Sequence, residues 1–168
     1  MIKIVTTGPE SSGKTTLAKA LAEHYRVAWV SEYARDYLND LNRTYEEKDL
    51  LEVAKGQVKR EDEAAKDKLD LLICDTSLIV IKIWSEYRYG RCHPWILDQI
   101  EQRSVELYLL CTPDIPWEPD PLRENQTDRS ELFLLYQQAL KSKPTEVIQG
   151  NRQQRLAQST NAINQLLP

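Results

Sequence analysis

Residues 8–15 carry the clearest functional motif of the sequence. Their order, Gly-Pro-Glu-Ser-Ser-Gly-Lys-Thr, fits the phosphate-binding pattern G-x-x-x-x-G-K-[ST]. In such a loop, several backbone N–H groups converge on phosphate oxygens, and the dipole of the following helix favours negative charge. We expect the Lys14 ammonium group to reach the β- and γ-phosphates and the Thr15 hydroxyl to bind Mg²⁺. The motif predicts a site for a nucleoside triphosphate.

Further charged residues stand at the ends of predicted strands, where ligands bind in open parallel sheets. Glu32 and Arg35 follow the apolar run 27–30 and lie one helical turn apart, so both can occupy one helix face. Asp75 ends the apolar run 69–75, which places its carboxylate beside the expected phosphates and Mg²⁺. Capping of the next helix is a compatible second role for Asp75. A carboxylate near an acceptor hydroxyl can position that hydroxyl and take its proton.

A proline-rich segment, about residues 113–130, is predicted to lack regular structure because four of its first nine residues are proline. It carries Arg123 and Arg129. We expect a lid that closes on the phosphates, with these arginines stabilising the transition state of phosphoryl transfer. An ordinary solvated loop is the alternative.

Strands and helices alternate along the chain, which predicts an α/β fold with a parallel sheet of about five strands and helices on both faces. Helical spacing of apolar residues begins directly after the phosphate-binding loop, at Leu17 and Leu21. We expect residues 1–168 to form a single three-layer α/β/α P-loop NTPase domain with a lid. The predicted strands are residues 2–7, 27–30, 69–75, 105–112 and 146–149.

Several local features are predicted at helix ends and in loops. Ser31 is a possible N-cap, and Thr44-x-x-Glu47 resembles a capping box that opens a long helix. The charged run 59–68 is expected to be a solvated face. Residues 87–95 form a predicted loop dense in aromatic and basic groups, which either lines a pocket for a planar ligand or packs ordinarily.

The composition of the 168-residue chain makes some classes of function less plausible. The net charge is −4, and no cluster of Lys and Arg stands out. This argues against nucleic-acid binding, which depends largely on a basic surface. The N-terminus has no secretory pattern and no apolar run approaches the roughly 20 residues that span a bilayer, so we expect a cytoplasmic protein that does not bind membranes. The 3 cysteines lack metal-type spacing and are expected to be reduced.

A phosphate-binding loop alone does not separate a kinase from a GTPase or a motor ATPase. A GTPase would usually show an N-K-x-D motif, which is absent from this sequence. A motor ATPase normally has a larger chain and several acids at one strand end. Glu32 with Arg35, Asp75 and the aromatic loop suit a small acceptor, so the sequence favours a small-molecule kinase.

Besides residues 8–15, five further motifs stand out: Ser31-Glu32-Tyr33-Ala34-Arg35, Cys74-Asp75-Thr76, His93-Pro94-Trp95, Ile115-Pro116-Trp117-Glu118-x-Asp120-x-x-Arg123 and Gly150-Asn151-x-x-x-Arg155. Together they resemble the kinase domain of NadR-type NAD-biosynthesis proteins over nearly the whole chain. The resemblance implies a nucleoside kinase that uses ATP and Mg²⁺ to phosphorylate nicotinamide riboside to nicotinamide mononucleotide. Longer family members carry a nucleotidyltransferase domain ahead of the kinase, and we expect a stand-alone kinase domain here.

The motif positions and the resemblance together assign expected roles. The residues expected to bind ATP are Gly8, Glu10, Ser11, Ser12, Gly13, Lys14, Thr15, Thr16, Asn151 and Arg152. The expected catalytic residues are Lys14, Glu32, Asp75, Arg123 and Arg129. The acceptor is expected to contact Glu32, Tyr33, Arg35, Asp75, Trp95 and Trp117, and Mg²⁺ to contact Thr15 and Asp75. Which of Glu32 and Asp75 is the base stays open, as does the oligomeric state. Another nucleoside or nucleotide kinase, or a nucleotide-dependent regulatory module, is the alternative.

Overall fold

The computed structural model, which describes residues 1–66 and 70–167, contains one five-stranded parallel sheet flanked by helices. The strands are β1 (Ile2–Thr7), β2 (Trp29–Val30), β3 (Leu71–Asp75), β4 (Leu107–Cys111) and β5 (Thr145–Ile148), in the order β2-β3-β1-β4-β5. The helices are α1 (Lys14–Tyr25), α2 (Tyr33–Asp40), α3 (Glu47–Ala65), α4 (Leu78–Tyr89), α5 (Pro94–Gln102), α6 (Arg129–Ala139) and α7 (Arg152–Asn164). The predicted α/β architecture is confirmed.

The central strands β1, β3 and β4 are buried almost throughout because helices cover both faces of the sheet. One face packs against α1 and α7, and the other against α3, α4, α5 and α6. Parallel pairing aligns Thr6 with Asp75 and Thr7 with Leu110, so the carboxyl ends of the three strands meet at one edge. Within the described residues, no helix combines the length and apolarity that a membrane span requires.

The predicted strand at residues 27–30 is shorter in the structure, because its first residues close the preceding helix. Arg26 adopts a left-handed conformation with φ 56°, and the Val27 N–H donates to the Ala22 carbonyl at 3.0 Å. Only Trp29 and Val30 then pair with β3. The predicted strand at residues 69–75 begins at Leu71 in the structure, and Leu69 lies outside the described residues.

Two predicted helix caps are wrong. The N-cap of α2 is Glu32, and the Ser31 hydroxyl instead accepts a hydrogen bond from Arg60 at 2.8 Å. The capping box of α3 involves Glu46 and Asp49 rather than the Thr44-x-x-Glu47 pattern. The Asp49 carboxylate accepts from the Glu46 N–H at 2.6 Å and also binds Arg43. The helix therefore begins at Glu47, two residues later than the Thr44 cap would place it.

The charged run at residues 59–68 is only partly solvated, so that prediction is wrong for one residue. Glu61 is 2% exposed and accepts a hydrogen bond from the buried Lys3 ammonium group. Helix α3 packs on β2 and β3, and β3 is paired with β1, which carries Lys3; a buried charge requires a partner. Asp67 and Lys68 lie outside the described residues.

Helix α2 is held against α3 by a close approach of an aromatic ring to a glycine. A methyl group on Gly56 would overlap the ring of Tyr33, and the Arg60 guanidinium lies 4.9 Å from the centre of that ring. The Tyr33 N–H also donates to the buried Gln57 side chain at 2.9 Å. These contacts set the position of the helix that carries Arg35.

We expect Gly56→Ala to destabilise the protein by about 1–3 kcal/mol, because the overlap with Tyr33 outweighs the helix preference of alanine, which is worth about 1 kcal/mol. Chemical denaturation measures the free energy of unfolding. The control introduces Gly56→Ala into the Tyr33→Ala variant. There the ring is absent, so the same change should be neutral or stabilising. A stabilising effect in the presence of Tyr33 would contradict this account.

Candidate active site

A cavity of about 420 Å³ opens at the carboxyl edge of the sheet, between the phosphate-binding loop, α2, α4, α6 and the proline-rich segment. It contains most of the residues expected to bind ATP and part of the predicted acceptor set. The sequence-predicted residues that line it are Gly8, Glu10, Ser11, Ser12, Gly13, Lys14, Thr15, Thr16, Glu32, Arg35 and Arg123.

The phosphate-binding loop needs glycine at its first position. Gly8 has φ 136°, and a Cβ atom there would lie 2.6 Å from the Cys111 carbonyl oxygen at the end of β4. Ser11 and Gly13 also have positive φ values, 52° and 82°, which curl the backbone ahead of the first residue of α1, Lys14. Consecutive N–H groups of such a curled loop can face an anion.

Arg155 fastens this loop to the neighbouring strand ends. It is 4% exposed, and its guanidinium donates to the carbonyl oxygens of Ser12 (2.7 Å), Gly150 (2.7 Å) and Thr112 (3.0 Å). The same guanidinium forms an ion pair with Asp114. Sequence reasoning placed Arg155 in a motif but gave it no role, since contacts to distant backbone carbonyls leave no local pattern.

Thr15 and Asp75 lie side by side at the phosphate-binding loop, and Lys14 crosses the same loop. The Thr15 hydroxyl donates to the Asp75 carboxylate at 2.6 Å, and the Lys14 ammonium donates to the Pro9 carbonyl at 2.8 Å across the loop. Thr15 and Asp75 offer oxygen donors, which Mg²⁺ prefers, and Mg²⁺ commonly uses only one or two protein ligands together with substrate phosphates. The donor set therefore fits Mg²⁺, and no cluster of three or more His, Cys, Asp or Glu occurs among the described residues.

Two carboxyl groups in this region have raised pKa values. Burial is the main cause for Asp75, and the hydrogen bond from Thr15 and the charge of Lys14 oppose it. Burial also raises the pKa of Glu32, with a further increase from the charge of Asp75, while Lys14 and Arg35 lower it. Carboxyl groups with raised pKa values in a cleft are candidates for proton transfer.

The proline-rich segment lies directly on the phosphate-binding loop. The Glu10 carboxylate accepts from the backbone N–H groups of Glu124 (3.0 Å) and Asn125 (2.8 Å). On the acceptor side, Arg35 on α2 forms an ion pair with Asp120 at 2.9 Å. The segment therefore contacts both sides of the cavity.

Arg123 and Arg129 both reach Ser11 in the phosphate-binding loop. The Arg129 guanidinium donates to the Ser11 carbonyl at 3.2 Å, and Arg123 lies 3.5 Å from the Ser11 hydroxyl. The Trp117 ring contacts both guanidinium groups, at 5.9 Å for Arg123 and 5.6 Å for Arg129. Trp117 therefore supports the arginines and does not line the cavity.

Four other predicted site residues lie away from the cavity, while Asp75 and Arg129 contact residues that line it without lining it themselves. Tyr33 packs on Gly56, as described above, and Trp95 packs against the apolar core near α5. Asn151 caps α7 by accepting from the Gln154 N–H at 3.0 Å, and Arg152 is exposed at the start of that helix. The cavity lining includes none of these residues.

The aromatic wall of the cavity comes mainly from α4 instead. The predicted loop at residues 87–95 is shorter in the structure, because α4 continues to Tyr89. Val80, Trp84 and Tyr87 recur at helical spacing and line the cavity, a periodicity that could have identified them from the sequence. Tyr45 packs edge-on against Trp84 with ring centres 4.9 Å apart.

Comparison with protein families and curated proteins indicates the ancestry of the chain. Residues 3–155 match a family model described as an AAA domain. The chain is 28% identical over 153 residues to the trifunctional NAD biosynthesis/regulator protein NadR of Escherichia coli (strain K12), and equally to that of Salmonella typhimurium. The match covers 86% of this chain but 37% of each relative, so the chain spans well under half the length of these proteins.

Solved structures with similar folds include NadR and a deoxyadenosine kinase. A NadR protein in complex with NR superposes with a TM-score of 0.81 and 19% identity, covering 98% of this chain and 51% of that chain. Deoxyadenosine kinase from M. mycoides, with bound products, gives a TM-score of 0.68 and 15% identity over 98% of this chain and all of that one. The fold is that of the P-loop nucleoside kinases.

We expect Glu32→Gln to stabilise the folded protein at pH 7 by about 0.5–2 kcal/mol. Because the pKa of Glu32 is raised in the folded state, the folded protein retains a proton that the unfolded chain releases, and stability is lost as the pH rises from 4.5 through the folded pKa. Glutamine removes this loss. The gain should shrink as the pH falls towards 4.5, which denaturation at several pH values measures.

The matched control is Glu131→Gln, because Glu131 is an exposed residue in the first turn of α6. Its substitution should not stabilise the protein at pH 7, because the helix dipole favours an acidic side chain in the first turn by about 0.3–1 kcal/mol. A Glu32→Gln variant that is less stable than the unsubstituted protein at pH 7 would contradict the assignment of Glu32 as a carboxylate whose ionisation destabilises the fold.

Proposed function

We propose that this chain, which belongs to the AAA domain family, is an ATP-dependent nucleoside kinase whose acceptor is nicotinamide riboside and whose product is nicotinamide mononucleotide. One observation carries the proposal: the half-buried carboxylate of Glu32 lines the same cavity as Lys14 and the phosphate-binding loop. A carboxylate so placed suits a reaction in which an acceptor hydroxyl must lose its proton to become a nucleophile.

The donor half of the reaction falls to the phosphate-binding loop. Its N–H groups and the N-terminus of α1 would hold the β-phosphate, while the Lys14 ammonium would exchange the Pro9 carbonyl for phosphate oxygens. Arg123 and Arg129, already positioned at Ser11, would offset the negative charge on the transferring phosphoryl group.

Thr15 and Asp75 would hold Mg²⁺, since their oxygens lie side by side at the edge of the loop. When bound, the ion neutralises part of the charge on the β- and γ-phosphates. This role for Asp75 leaves Glu32 as the better candidate for the base. The hydrogen bond from Thr15 and the buried position of Asp75 both hold that carboxylate at the metal side.

The charges around the cavity favour a nucleoside acceptor over a nucleotide acceptor. A nucleotide kinase needs arginines that can bind the acceptor phosphate. Here Arg35 is paired with Asp120 at 2.9 Å, and Arg43 forms two hydrogen bonds of 2.7 Å with Asp49. A phosphate would have to displace these carboxylates and would also lie near the Glu32 carboxylate, which is electrostatically unfavourable.

The aromatic wall supports a flat, positively charged ring as the base of the acceptor. Trp84, Tyr45 and Tyr87 line this part of the cavity, and their ring faces can attract a cation. The Glu124 carboxylate lines it as well. The nicotinamide ring of nicotinamide riboside is a pyridinium cation, whereas the common nucleosides carry neutral bases.

The direct experiment incubates the pure protein with ATP, Mg²⁺ and a panel of nucleosides and nucleotides, and measures phosphorylated product. We expect kcat/KM to be highest for nicotinamide riboside. Preferential turnover of another nucleoside would reject the proposed acceptor but retain the kinase. ATP hydrolysis that no acceptor stimulates but a protein partner does would favour a regulatory module instead.

Three variants separate the proposed roles by kinetics. We expect Glu32→Gln to lower kcat about 10²–10⁴-fold through loss of the base, and Lys14→Ala about 10²–10³-fold through loss of charge stabilisation. Asp75→Asn should raise the Mg²⁺ concentration needed for half-maximal rate about 10–100-fold. The Glu131→Gln variant is the control and should keep the unsubstituted rate. Full kcat in both Glu32→Gln and Asp75→Asn would reject the catalytic assignment.

The pH dependence of kcat/KM gives an independent test of the base. Because the raised pKa of Glu32 keeps this group protonated to higher pH than usual, the rate should fall on the acid side with an apparent pKa above 4.5. The residual activity of Glu32→Gln should lack this acid limb. An unchanged profile in the variant would assign the titration to another group.

A further inference from the structure

We propose that Glu124 is a positioning residue that connects the acceptor wall of the cavity to the phosphate-binding loop. It lies in the proline-rich segment and contacts the loop through its backbone and the aromatic wall through its side chain. The inference rests on the proposed ATP site but does not depend on the identity of the acceptor.

The backbone contact fixes the segment to the donor side. The N–H groups of Glu124 and Asn125 both donate to one oxygen of the Glu10 carboxylate, at 3.0 and 2.8 Å. A charged acceptor makes such hydrogen bonds stronger than those between neutral groups. Glu10 itself is the third residue of the phosphate-binding loop, so this contact ties the segment to the loop that would hold the phosphates.

The side-chain contact fixes the same residue to the acceptor side. The Tyr45 hydroxyl donates to the Glu124 carboxylate at 3.1 Å and accepts from the Trp84 indole N–H at 3.1 Å. These two hydrogen bonds, one from the indole N–H and one from the phenol O–H, link α4 to the proline-rich segment through Tyr45. The edge-on packing of the Tyr45 and Trp84 rings holds this chain in place.

The two contacts act on the arginine that precedes Glu124 in the chain. Arg123 lies with its guanidinium near the Ser11 hydroxyl, and the Glu118 carbonyl accepts a hydrogen bond from it. When the side-chain link to Tyr45 is broken, the backbone at Glu124 is held only from the donor side. The segment then spends more time away from the loop, and Arg123 leaves the position from which it would meet the phosphates.

The experiment measures binding of the ATP analogue AMP-PNP with Mg²⁺ by calorimetry, in the absence of any acceptor. Tyr45→Phe keeps the ring but removes the hydroxyl, and Glu124→Ala keeps the backbone N–H but removes the carboxylate. Each should weaken analogue binding about three- to tenfold, the value of one hydrogen bond. The double variant should be no weaker than either single variant, because both changes break the same link.

Two conservative variants separate positioning from general destabilisation. Glu124→Gln keeps an oxygen that can accept from the Tyr45 hydroxyl and should bind the analogue nearly as the unsubstituted protein does. Glu131→Ala removes an exposed carboxylate from α6 and should have no effect. Hydrogen exchange without any ligand provides a second readout, in which the Glu124 and Asn125 amides should exchange faster in Tyr45→Phe.

The inference would be overturned if Tyr45→Phe bound the analogue as tightly as the unsubstituted protein. It would also be overturned if the losses of affinity added in the double variant, or if the Glu124 and Asn125 amides exchanged at the unsubstituted rate in Tyr45→Phe. Failure of the unsubstituted protein to bind the analogue would overturn both this inference and the proposed function. Tight analogue binding with no turnover of nicotinamide riboside would reject only the proposed acceptor, and the results for Tyr45→Phe would still decide the role of Glu124.

Discussion

The buried guanidinium of Arg155 is the interaction on which the candidate site depends. It joins the carbonyl oxygens of Ser12, Thr112 and Gly150, which belong to the phosphate-binding loop and to the chain following β4 and β5. Ser12 is buried, and a buried carbonyl left without a partner costs about 1–3 kcal/mol, whereas Thr112 and Gly150 are half-buried. By satisfying all three, one side chain keeps the loop curled at the sheet edge where the other functional residues gather.

The two carboxylates at that edge, Glu32 and Asp75, lower the stability of the folded protein when they are ionised. The same two groups carry the proposed chemistry. Burial raises the pKa values of Glu32 and Asp75, so ionising them in the folded protein costs free energy. A cation at Lys14, and Mg²⁺ where ATP is bound, would recover part of that cost. The proline-rich segment adds to this arrangement by contacting both the donor loop at Glu10 and the acceptor helix at Arg35.

The sequence predicted the parts of the site that depend on local pattern and on strand order. The phosphate-binding loop follows from its motif, and the place of Asp75 follows from the end of an apolar strand, which pairs with β1 at Thr6. The family resemblance implied that Trp95 contacts the acceptor, whereas in the structure Trp95 packs against the core and Trp84 on α4 lines the cavity. The link between Tyr45 and Glu124 joins residues 79 positions apart, and no local periodicity encodes such a contact.

The central claim is that Glu32 is the base and Asp75 belongs to the metal side. The most direct test is a crystal structure of the protein with Mg²⁺, AMP-PNP and the nucleoside that it phosphorylates. The account predicts a Glu32 carboxylate oxygen within about 2.6–3.2 Å of the acceptor hydroxyl, with Asp75 and Thr15 on the metal side. Asp75 bonded to the acceptor hydroxyl, with Glu32 turned away from it, would contradict the account.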